Sequence, residues 1–254
     1  LKKLIGLLLL VLLLTACTEK ETVETVTEKA YQALAKSNVL HMSGNVSISL
    51  DFETKKEYDF EKIIQKEPFV YYERHDTIPY PNEFYITNTT WFKMDKKVGG
   101  FIHDTRRNAE KEISYISNVS QAILAEAKSI KKLAEFKQYA TLVELPSSQY
   151  KLEFSSTDSE VLAKYVEGNS ITELFKELAE YKITHLDETI VVNKETFQVT
   201  NRVISLTLTG KRNESDQPVK MDIIVNMLDV TYEIDNELVV PTEVITEANE
   251  NTIN

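Results

Sequence analysis

The chain has 254 residues, 42% of them apolar and 9% aromatic, enough to bury one sizeable core. Its 29 Lys and Arg oppose 40 Asp and Glu, a net charge of −11, which excludes the electrostatic footprint of a nucleic-acid binder and any polybasic attraction to anionic lipid heads. A single cysteine, Cys17, excludes a disulfide framework and a multi-thiolate metal site.

In chain order, Lys2 and Lys3 precede an apolar run from Leu4 to Leu14, followed by the small residues Thr15 and Ala16. This reads as a secretory leader, too short to span a bilayer, which takes roughly 20 apolar residues. Leu14-Thr15-Ala16-Cys17 resembles the bacterial lipobox, in which the cysteine thiol carries a thioether-linked lipid and becomes the first residue after cleavage. The expected organisation is a leader over 1–16, a lipidated Cys17 with a short tether over 17–22, and a single domain over 23–254. Without Lys2 and Lys3 the balance becomes 27 against 40, or −13. Attachment to the membrane then rests on the acyl chains.

Val23, Val26, Ala30, Ala33 and Leu34 recur at helical spacing and predict a helix over 23–36. From Leu40 the period becomes two. Leu40, Met42, Val46, Ile48, Leu50 and Phe52 share one parity, and His41 falls on the polar one. Further strands are expected near 57–65, 69–75, 83–88, 90–95 and 101–104. Aromatic residues crowd this region, from Phe69 to Phe101. Half-buried strands favour such residues. Phe69, Tyr71, Phe84 and Trp91 are the candidates to line an apolar ligand site.

A helix is expected over 119–136, with Asn118 as its N-cap. Ser129-Ile130-Lys131-Lys132 matches S-x-x-K, but no K-T-G accompanies it, so Ser129 reads as part of a polar turn. A strand carrying Tyr150, Leu152 and Phe154 follows. Thr157 with Glu160, and Ser170 with Glu173, form capping-box patterns for helices over 158–167 and 171–180, with Gly168 suited to the C′ position between them. The last third reads as strands over 181–192, 197–209 and 219–234, with a short piece near 238–240. The apolar parity flips at Met227-Leu228, which predicts a β-bulge or a bend.

These elements predict an α+β fold: a curved antiparallel sheet, or half-barrel, covered on its concave face by helices. The order of elements resembles the LolA/LppX-like half-barrels. Lys66-Glu67-Pro68-Phe69-Val70-Tyr71 resembles that group's opening of a strand, with Tyr71 in place of its arginine. Asn88-Thr89-Thr90-Trp91-Phe92-Lys93-Met94-Asp95 resembles its hairpin, and Val240-Pro241-Thr242-Glu243-Val244 resembles the terminal pattern of lipoproteins of unknown function from Gram-positive bacteria. The resemblance implies a concave apolar cavity for acyl chains or hydrophobic peptide. The missing arginine points to the anchored relatives rather than to a soluble lipoprotein carrier.

No catalytic constellation is legible. The four histidines do not pair at metal-ligand spacing, and with only six glycines there is no Gly-rich phosphate loop. The sequence therefore predicts a non-enzymatic protein without metal or cofactor, anchored by lipid to the outer face of the bacterial cell membrane. Its expected partner is a hydrophobic ligand, lipid or acyl chain. The alternative is a cell-envelope interaction or sensor module that docks an unidentified protein.

Overall fold

The computed structural model describes residues 20–50, 55–76, 82–103, 121–167, 182–212, 215–234 and 236–251. Cys17, Asn118, Gly168 and the expected helix over 171–180 lie outside them.

Helix α1 (Val23–Lys36) opens on Thr22, whose side chain accepts the Thr25 N–H while Thr25 Oγ1 accepts the Thr22 N–H. Its buried stripe is Val23, Val26, Ala30 and Leu34. Lys66 Nζ donates to Ala35 O at the last turn, 2.8 Å away. Strands β1 (Val39–Leu50), β2 (Lys56–Gln65), β3 (Val70–His75), β4 (Asn82–Thr87), β5 (Trp91–Asp95) and β6 (Gly100–His103) follow. Helix α2 (Ala122–Lys132) runs into a 3-10 segment (Leu133–Tyr139), so the helix expected to reach 136 changes winding at Leu133, with Phe136 outside helical geometry.

β7 (Ala140–Leu145), which the sequence reading missed, precedes β8 (Gln149–Ser156). Helix α3 (Ser159–Val166) is capped by Asp158 rather than by the expected Thr157: the Asp158 carboxylate accepts the Glu160 and Val161 N–H groups. Strands β9 (Lys182–Asn193), β10 (Val199–Arg212) and β11 (Ser215–Thr231) are long, as expected. The piece near 238–240 is not a strand. It is a strap whose Leu238 N–H and C=O both bond the Gln65 side-chain amide, and it leads into a second missed element, α4 (Thr242–Asn251).

Among the described residues the eleven strands form one curved, unclosed antiparallel sheet in the order β6-β5-β4-β3-β2-β1-β11-β10-β9-β8-β7. β1 joins the two halves. The predicted bulge is present: Ser43 pairs with Asp229 and Gly44 with Met227, so Leu228 is skipped and 49% exposed. Parity also agrees in β10, where Leu206 is buried and Thr207 is half-buried and donates to Asp222.

The sheet buries apolar residues on both faces. On the first face, Leu40, Ile64, Tyr71, Ile204 and Leu206 share a cluster with Ala30 and Leu34 of α1, Ile123 and Ile130 of α2, and Leu162 and Tyr165 of α3. On the second face, Tyr72, Tyr85, Phe92 and Phe101 share a smaller cluster with Val244 and Ala248 of α4. The aromatic crowding thus has a plain structural cause, because β3 to β5 are packed on both sides.

Candidate functional site

Phe69, Tyr71, Phe84 and Trp91 meet in the first-face cluster, 5–8% exposed. Register places Tyr71 opposite Ile86 and Ile86 opposite Trp91, with Phe84 one row below on the same face. The Tyr71 and Phe84 rings stack at 5.8 Å, and Phe84 meets Trp91 at 5.8 Å. The ladder is packed core, not an open mouth; Trp91 starts β5 after its polar turn, as expected, but is already covered.

Below the ladder lies a polar set. Tyr71 donates its hydroxyl to Glu73, His75 Nε2 lies 2.6 Å from the same carboxylate, and Lys62 Nζ lies at 3.9 Å. Burial pushes the Glu73 carboxyl up, but the charge of Lys62 and the bonds from His75 and Tyr71 outweigh it and hold it at about 2. Farther down the same face the sheet stays apolar but is less enclosed. Ile48, Tyr58, Phe60 and Met221 are half-buried against the same cluster.

A second buried polar set lies at the other arm of the sheet and was missed in the sequence. Arg202 is 2% and Glu188 1% exposed. Arg202 Nε donates to Glu188 Oε1 at 2.7 Å, Nη1 to Glu126 Oε2 at 2.6 Å and Nη2 to Ser129 Oγ at 2.7 Å, while Tyr165 donates its hydroxyl to Glu188. Burial alone would favour the neutral guanidine, but Glu188 and Glu126 reverse that and raise the Arg202 pKa. Ser129 is therefore not on a polar turn as expected; it is fully buried and holds the guanidinium. The available signal was parity. Glu188 alternates with Leu186 and Ile190, and Arg202 with Ile204, so two opposite charges fall on the dry face of adjacent strands.

Beside this set a cleft of about 470 Å³ opens at the β7–β9 edge, lined by residues including Tyr139, Glu153, Phe154 and Asp187. His41, on the second face, pairs with Glu61, His103 with Asn249, and His185 with Asp187. Among the described residues no three His, Cys, Asp or Glu side chains converge, and no helix is long and apolar enough to cross a membrane.

The sequence model of a family of unknown function (DUF6612) matches residues 21–249. The chain belongs to this family. Its span takes in every strand and helix described above except the last two residues of α4. No curated protein matches the chain. Among solved structures, it is similar to a LolA superfamily protein from Nitrosomonas europaea, at 8% identity over 87% of this chain and 96% of that one, with a TM-score of 0.27. It is also similar to a DUF1329 family protein from Desulfovibrio piger, at 8% identity over 86% and 96%, with a TM-score of 0.27.

Proposed function

We propose that this DUF6612 member is a lipid-anchored protein of the outer face of the bacterial cell membrane that binds a hydrophobic ligand, a lipid or acyl chain, without covalent chemistry. In this reading Cys17 carries the anchor, and α1 to α3 cover the concave face of a half-barrel. The observation that carries the ligand claim is the incomplete cover of the first face. Ile48, Tyr58, Phe60 and Met221 continue the core surface but remain half-buried. A half-buried apolar shelf gains free energy when an acyl chain covers it, at about 25 cal/mol per Å². The test is native mass spectrometry of the unlipidated domain purified from cells. Co-purifying lipid is the expected result; a clean apo mass opposes the reading.

One observation favours a second reading, a module that docks a protein. Among the described residues β7 is the last strand of the sheet; Tyr139, just before it, and Val143, within it, are 38% and 39% exposed. Such an edge can template another strand. A clean apo mass together with a partner captured through β7 would favour it.

A further inference from the structure

β2 sorts its charges by face. Its register with β1 is unbroken from Gln65 to Lys56, so parity fixes the faces. Lys56, Tyr58, Phe60, Lys62 and Ile64 lie on the first face, and Glu57, Asp59, Glu61 and Ile63 on the second. Both cations of the strand thus share a face with its aromatics, in a chain whose net charge is −11. The two lysines differ in their surroundings. Lys62 faces Glu73, whereas Lys56 makes no ion pair among the described residues.

Lys56 also sits at a boundary. It pairs directly with Ile48, and two residues along its own strand is Tyr58, which pairs with Val46. Ile48 in turn pairs with Ile223, and Leu50 with Met221, on β11. An exposed lysine therefore rims the half-buried apolar shelf, and a lysine in such a position can lay its methylene stem on apolar surface while its ammonium stays in water.

We propose that this corner selects an amphiphile with an anionic head, a carboxylate or a phosphate. Lys56 binds the head, and the chain lies over Ile48, Tyr58, Phe60 and Met221. This rests on the hydrophobic-ligand reading above and deepens it. Charge complementarity decides the class. The first-face charges of β2 are positive and its acidic residues point away, so a cationic head would meet Lys56 unfavourably and a neutral head would gain nothing from it. Lys62 is held by Glu73 and is not available to a ligand head on the same terms.

The test uses the full-length chain in isolated membranes and three photoactivatable probes with the same diazirine-bearing C16 chain: the fatty acid, the alkyl phosphate and the fatty alcohol. Crosslinks are mapped by mass spectrometry. The acid or the phosphate should label residues of β1 and β2 about three- to fivefold more than the alcohol, the range of a partly exposed ion pair. Whichever anion labels more strongly identifies the head. Lys56→Met should bring anion labelling down to the alcohol level and leave alcohol labelling unchanged, and Lys56→Arg should retain the difference. Equal labelling by acid, phosphate and alcohol, or anion labelling that survives Lys56→Met, overturns the head site while leaving the apolar reading in place. Absence of labelling on this face by all three probes overturns both.

Discussion

Arg202 Nη1, on β10, donates to Glu126 Oε2, on α2, across 2.6 Å, and one guanidinium thereby ties a helix to the sheet. The same group neutralises Glu188, whose side chain has no access to water. Removing only the cation leaves a buried carboxylate with the Tyr165 hydroxyl as its described partner. Arg202→Met should cost about 3–5 kcal/mol. Arg202→Met combined with Glu188→Leu should recover most of that loss, because an apolar pair replaces an ion pair and Glu126, 16% exposed, can turn to solvent. Urea unfolding of both variants at unchanged m-value measures the difference. A double variant as unstable as the single one would mean that the ion set stabilises rather than specifies the fold.

The bulge in β11 brings the backbone of Gly44 against that of Asn226. A Cβ on Gly44 would lie 1.8 Å from the Asn226 carbonyl oxygen, a clash between two main chains. Gly44→Ala should therefore cost about 2–4 kcal/mol. Gly99→Ala is the comparison. Its φ of 74° strains an L-residue, but nothing lies within 4 Å of the added carbon, so about 1 kcal/mol is expected. Thermal unfolding of the two variants should rank them in that order. The reverse order would contradict the close approach.

Periodicity made most of this sheet legible. The phase flip at Met227-Leu228 marked the bulge because residues on either side must point into the same core. β7 escaped because an edge strand buries neither face fully: Ala140 and Leu142 are only half-buried, and the apolar Val143 lies exposed on the other parity, which blurs the alternation in the sequence. α4 escaped because its β-branched and Asn residues have low helix propensity and it buries only Val244 and Ala248. Phe69, Tyr71, Phe84 and Trp91 were legible as an aromatic group, and the structure brings them into one cluster. Their enclosure was not legible, because the residues sharing their cluster come from α1 and α2, far along the chain. The Arg202 set was hidden for the same reason, joining residues 126, 188 and 202.

Glu73 sets an acid limit. Its carboxyl is held at about 2 in the folded protein, against 4.5 for the free group. A depressed pKa contributes stability that is present above about 4.5 and lost as pH falls through about 2. The gap corresponds to about 3 kcal/mol. Glu73→Gln should therefore be less stable than wild type by about 2–3 kcal/mol near neutral pH, with the difference shrinking between about pH 4.5 and 2. Urea unfolding along that pH series reports it. A difference that stays constant with pH would show that Glu73 acts through packing rather than charge.

Cys17 is the proposed anchor. Cells fed an alkynyl fatty acid should label the wild-type chain, and Cys17→Ala should abolish both the label and membrane retention at high salt. Salt matters because a chain of net charge −11 gains nothing from anionic lipid heads, so retention should not depend on ionic strength. Equal labelling of Cys17→Ala sinks the anchor.

The last expectation concerns the cover of the second face. Val244 is 5% exposed and packs with Tyr72, Tyr85, Phe92 and Phe101, whereas its neighbour Ile245 is 39% exposed. Val244→Asp sets a carboxylate against four aromatic rings near Glu83, whose own carboxyl is raised by burial. The nearby cation, Arg74, is already engaged by Asp76 and Glu83, so the new charge is desolvated without a partner of its own and should cost about 2–3 kcal/mol or release α4. Ile245→Asp should change stability by under about 0.5 kcal/mol. Release has a local signature, because Asn251 Nδ2 donates to Phe101 O and His103 meets Asn249 along the edge of β6. Amide exchange should then quicken in β6 and in α4 itself while β9 to β11 stay protected. Trp91 lies on the opposite face, so its emission should stay as it is in the wild type. If Val244→Asp shifts that emission as well, the two faces unfold together, and α4 is part of the global core rather than a cover of one side.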